Sequence, residues 1–124
     1  MEFARPEDGI VWFLHIDKRD LGPVLALAFE GRVFTSTVKE FGRVLRSEDL
    51  TGRRGLILDF SRVDYINGEG LRLLEEAALR ARAVQVDLVV CGLTPIVRTT
   101  FDLAGASANL TIEPSRELAH RRFL

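Results

Sequence analysis

The sequence is short of reactive side chains. It has one cysteine in 124 residues, Cys91, so no intrachain disulfide can form. Cys91 ends the apolar run VDLVVC, with no basic neighbour in sequence to favour a thiolate, and reads as a buried structural thiol. The two histidines, His15 and His120, fall in different segments without a partner pattern, which argues against zinc. An excess of either charge is also missing. Seventeen basic and 18 acidic residues leave a formal net charge of −1. General nucleic-acid binding needs a basic surface, so that class is set aside; Arg53-Arg54 and Arg121-Arg122 read as solvated charges. No apolar stretch reaches the roughly 18 residues of a membrane span. The first residues, MEFARPEDG, are unlike a signal peptide. A reducing, cytoplasmic setting without direct membrane insertion is expected.

What is present is ordinary for a folded chain: 47% hydrophobic and 28% charged residues. The length suits one domain, residues 1–124. Two apolar runs, Ile10–Ile16 and Pro23–Gly31, flank the polar DKRD and read as a hairpin. Thr37 and Glu40 have capping-box spacing, and Val38, Phe41 and Leu45 recur at helical intervals, which predicts a first helix. GLILDF, Gly55–Phe60, reads as a strand covered on both faces. Leu71, Leu74, Ala78 and Ala81 then mark one face of a second helix.

A strand over Val86–Gly92 follows. Thr94 is placed to cap a third helix, Pro95 to open it, and Gly105 to end it. Ile96, Val97, Thr100, Phe101 and Ala104 form its inner side. ANLTIE reads as a short strand and PSRELAHRRF as a last helix. The order ββαβαβαβα predicts an α/β fold, a mixed sheet with an N-terminal hairpin and helices packed against it. Loops at the carboxyl ends of such strands tend to carry sites. Three qualify and should lie together: Gly31–Ser36, Asp64–Gly70 and Gly92–Pro95.

The middle loop, VDYINGEGL, holds no serine, threonine, cysteine, histidine or lysine. It has neither a P-loop nor a dinucleotide fingerprint, and Glu69 would repel a phosphate. Asn67 can cap the following helix, Gly68 and Gly70 allow a tight turn, and Glu69 can interact with the helix dipole. Asp59, Asp64 and Glu69 cluster near the turn without a nucleophile and base in reach, so catalysis is not expected. No cofactor or metal site is expected either.

The segment LILDFSRVDYINGEGLRLLEEA resembles the core of the STAS domain, the fold of bacterial anti-sigma-factor antagonists. Asp59-Phe60-Ser61, Val63, Tyr65-Ile66 and Gly70-Leu71 match the family's pattern. LALAFEGRVFTSTVKEF and VDLVVCGLTPIVRTTFDLAG extend the resemblance to roughly residues 10–119. It implies a STAS-type sheet and regulation by protein contact, with a serine kinase or anti-sigma factor as partner. It also implies a switch, because relatives carry a phosphorylatable serine in Asp-Ser-[Ser/Thr]-Gly. Here the pattern breaks. Anchored on Gly70-Leu71, the family's Asp falls on Asn67 and its phosphoacceptor on Gly68, which has no hydroxyl.

The expected binding face comprises Phe34, Thr35, Ser36, Asn67, Gly68, Glu69, Gly70, Leu71, Arg72, Leu93 and Thr94. With no hydroxyl at Gly68 the chain is either a constitutively active antagonist or one in which Glu69 imitates the modified state. Thr35, Ser36 and Thr37 could take over the switch, or could simply cap a helix. Two other readings stay open: a small STAS subunit of a membrane lipid-transport ATPase, and a sensor binding a nucleotide or lipid beside the turn. The oligomeric state is open between monomer and weak dimer.

Overall fold

A computed structural model describes residues 14–124. Five strands form one sheet in the order β1-β2-β3-β4-β5. They are β1 (Leu14–Leu21), β2 (Val24–Val33), β3 (Gly55–Ile66), β4 (Asp87–Cys91) and β5 (Thr111–Glu113). β1 pairs antiparallel with β2, and every later pairing is parallel. Four helices connect them: α1 (Val38–Ser47), α2 (Gly68–Ala83), α3 (Pro95–Leu103) and α4 (Arg116–Arg121). The predicted mixed sheet is the one observed.

Hydrophobic periodicity decides which helix covers which face. Val38, Phe41, Val44 and Leu45 of α1, Leu71, Leu74, Ala77 and Ala81 of α2, and Val97 and Phe101 of α3 share one core. The sheet supplies Leu25, Leu27, Phe29, Leu56, Leu58, Phe60, Leu88 and Val90 to it. Phe29, Phe41 and Phe60 meet edge-on at centroid distances of 5.2, 5.6 and 6.2 Å, and Phe101 joins Phe60 at 6.4 Å. Such pairs add roughly 0.5–1.5 kcal/mol each beyond the area they bury. The alternate residues Val24, Ala26, Ile57, Val89 and Cys91 point to the other face, where Ala119 of α4 and Phe123 cover them. The near-continuous apolar runs of β2 and β3 follow from this double coverage.

Several boundaries differ from the sequence reading. Residues Ile10–Phe13 of the first expected strand lie outside the described residues. The polar DKRD belongs to β1 itself, as an exposed edge, and the chain turns at Gly22-Pro23. β3 does not end at Phe60 but runs on to Ile66. Its pairing with β2 slips between Ala28 and Glu30 and again between Gly31 and Arg32. Such bulges break the inward–outward alternation that identifies a strand. Gly105, at φ +75°, ends α3 as expected of a glycine in the left-handed region. A 3-10 turn, Ala106–Ala108, replaces the start of the expected last strand.

Candidate functional site

The carboxyl ends of β2, β3 and β4 lie at one edge of the sheet, as their parallel pairing requires. The three expected loops meet there. The Asn67 amide donates to the Val33 carbonyl at 2.9 Å, joining the ends of β3 and β2. The Thr94 hydroxyl donates to the Val63 carbonyl at 3.1 Å, joining the β4 loop to β3.

Asn67 sets the start of α2. It has extended backbone, φ −90° and ψ 175°, and its Oδ1 accepts from the Gly70 amide at 2.8 Å. This is the cap expected from sequence. The two glycines of the turn serve different needs. A Cβ on Gly70 would lie 2.7 Å from Val33 Cγ1 and 2.8 Å from Ile66 Cγ1. Only glycine lets α2 start this close to the sheet. Neither Gly68 nor Gly70 has a positive φ, so a tight left-handed turn is not the reason for either. At Gly68 an added Cβ meets nothing within 4 Å. The first position of α2 is therefore open to solvent and free to carry a side chain.

The expected contact residues separate by exposure. Thr35, Ser36, Gly68, Glu69 and Arg72 are exposed, and Phe34, Asn67, Leu93 and Thr94 are half-buried. Gly70 and Leu71 are buried, Leu71 at 3% exposure, so they position the turn and leave its surface to their neighbours. Two expected caps take other roles. Thr37 and Glu40 form no capping box: the buried Thr37 hydroxyl donates to the Arg32 carbonyl at 2.6 Å and accepts from the Phe34 amide at 3.1 Å. Glu40 instead pairs with Arg43, which lowers the Glu40 pKa. Thr94 makes no side-chain cap to α3, because its hydroxyl serves Val63.

Two exposed apolar side chains near this edge escaped the sequence reading. Ile96 was assigned to the inner side of α3 but is 65% exposed, because the residue that faces the sheet is Val97. Tyr65 is 42% exposed near the end of β3, opposite Arg32 in register. The bulged pairing hid it, since simple alternation does not carry through that segment.

The chemistry available here is that of contact. Among the described residues no group of three or more histidine, cysteine or acidic side chains could hold a metal. No described helix is long and apolar enough to cross a membrane. Cys91 is buried, and desolvation, with the nearby Asp59 charge second, pushes its thiol up to about 12. A polar cavity of about 350 Å³ opens elsewhere, beside Arg116 of α4, lined among others by His15, Glu30, Asp59 and Ser61.

Comparison with known proteins agrees with this architecture. The STAS domain family model matches residues 15–119. BtrV of Bordetella bronchiseptica, named as a candidate anti-sigma factor antagonist, is 34% identical over 110 residues, covering 89% of this chain and 93% of BtrV. An anti-sigma factor antagonist from Mycobacterium paratuberculosis superposes with a TM-score of 0.79 at 16% identity, over 89% of this chain and 93% of that one. The Bacillus cell fate determinant SpoIIAA in its phosphorylated form superposes with a TM-score of 0.66 at 15% identity, over 89% of this chain and all of that one (100%).

Proposed function

The chain belongs to the STAS domain family, and on that premise we propose that it is a regulatory protein-binding domain of the anti-sigma-factor-antagonist type, with α2's first turn held in one charge state. The whole chain, residues 1–124, acts as one such unit in the cytoplasm, without catalysis. Its partner is an anti-sigma factor or a serine-kinase-like protein. The docking face comprises Phe34, Thr35 and Ser36, the α2 start from Asn67 to Arg72, and Leu93 with Thr94. Tyr65 and Ile96 add exposed apolar area, of the kind that anchors interfaces.

One observation carries the reading. Gly68 occupies the exposed first position of α2, with open space where a side chain would stand. The resemblance places a phosphoacceptor at this position in relatives. A phosphate there adds a charge of about −1.5 to −2 at a helix start and changes what can pack against it. Glycine offers no attachment point. The carboxylate of Glu69 is the only acidic group in the first turn of α2, and it is permanent. The absence of a reversible charge at position 68 favours the constitutively active antagonist.

The test is binding to candidate anti-sigma factors and serine kinases, with the wild-type chain and two sets of variants. Gly68→Arg and Glu69→Lys alter the proposed face; His15→Ala and Ser61→Ala alter the cavity beside α4. The first pair should lose the partner and the second pair should retain it. The reverse pattern would overturn the placement of the face.

A further inference from the structure

Regulation of the docking face can be read from its hydroxyl groups, on the premise that the docking reading above holds. Residues 62 to 90 contain no serine or threonine, so a serine kinase cannot add charge within the first turn of α2. The hydroxyls bordering that turn belong to other elements, and the fold commits most of them. Thr37 is fully buried and bonded to the Arg32 carbonyl. Thr94 is half-buried and bonded to the Val63 carbonyl. Ser61 lines the cavity beside α4, away from the turn.

Thr35 and Ser36 remain. Both are exposed, and neither hydroxyl is hydrogen-bonded among the described residues. Their loop leaves β2 directly after Val33, whose carbonyl receives the Asn67 amide at 2.9 Å. The loop and the α2 turn are thus two lips of one surface. The neighbouring Thr37 bonds hold the loop to the end of β2, so a group attached at 36 cannot swing far from it. Ser36 also lies just before α1, whose N-cap residue Thr37 makes no side-chain cap, and the exposed Lys39 follows. A phosphate at 36 would meet the positive end of that helix.

We propose that Ser36 is a phosphorylation site through which a serine kinase adds charge to this face, in place of the hydroxyl missing at position 68. The step transfers the γ-phosphoryl group of ATP to Ser36 Oγ. One P–O bond forms, the bond to the β-phosphate breaks, and ADP and the hydroxyl proton leave. The added charge of about −1.5 to −2 lies beside the Asn67–Glu69 turn and opposes docking.

The test incubates the full chain, Ser36→Ala and Gly68→Ser with ATP and serine kinases from the cell that makes the protein. Phosphate is located by fragmentation mass spectrometry, and partner affinity is measured before and after. The expected result is one phosphate per wild-type chain on Ser36, none in Ser36→Ala, and partner binding weakened about tenfold or more, which is about 1.4 kcal/mol. Phosphate found only in Gly68→Ser, on the hydroxyl introduced there, with wild type unmodified, overturns the inference and leaves the docking reading standing. Phosphate confined to Thr35 overturns the assignment to Ser36. If no kinase or anti-sigma factor binds the wild-type chain, the docking reading fails and this inference with it.

Discussion

Two glycines two positions apart show how local space decides what a residue does. Gly70 is required by the close approach of Val33 and Ile66, whereas Gly68 borders open solvent. Gly70→Ala should destabilise the fold by about 1–3 kcal/mol, the usual cost of forcing a methyl into a packed contact. Gly68→Ala should be neutral or stabilise by up to about 1 kcal/mol, through loss of unfolded-state freedom. Denaturant unfolding of the two variants checks both; equal effects would contradict the geometry. From sequence both glycines read as turn formers. Their difference arises from the side chains of Val33, far back along the chain, and Ile66, in the preceding strand, which spacing along the chain cannot reveal.

Among the elements, the loop between β2 and α1 depends on one buried hydroxyl. Thr37→Val keeps the shape and removes the bonds to the Arg32 carbonyl and the Phe34 amide. Leaving buried groups unpaired costs about 1–3 kcal/mol. Thermal unfolding should show that loss, and a neutral substitution would contradict the assigned role. The β1–β2 hairpin has its own tether. The Arg53 guanidinium bonds both Asp20 carboxylate oxygens at 2.6 and 3.1 Å. Arg53, and after it the Gly22 amide, hold the Asp20 pKa at about 2, below its usual value of 3.8. Because the folded-state value is the lower one, the contribution is present above about pH 4 and fades as pH falls through about 2. Asp20→Asn should lower the Tm at pH 7, and the gap to wild type should narrow towards pH 2; a gap constant with pH would exclude the linkage.

The legibility of these elements followed their burial. α1, α2 and the apolar half of β3 were readable because the core imposes clear periods. The outer half of β3, with Ser61, Arg62, Asp64 and Tyr65 exposed, looked like a turn because bulges and solvent remove the period. The same reasoning explains β1. An edge strand carrying Asp17, Lys18, Arg19 and Asp20 looks like a loop in sequence, yet charges are what keep such an edge from pairing with other chains.

For the whole molecule, the sheet divides structure from proposed function. One face is fixed by α1, α2 and α3 over the phenylalanine cluster, and the other is partly sealed by α4 with Phe123 against Gly55. The strand ends between these layers gather the three loops. Topology made that gathering foreseeable from sequence, since parallel strands must end on one side. Which side chains point outward there was less legible, as Tyr65, Ile96 and the buried Leu71 show.

The central claim is that a partner docks on the α2 start while position 68 is uncharged. The most direct measurement is the Kd of the cognate anti-sigma factor or serine kinase for wild type and for Gly68→Glu, with the Tm of each. The open space at Gly68 predicts an unchanged Tm, and the added charge predicts binding about tenfold weaker or more. An unchanged Kd at unchanged Tm would contradict the account.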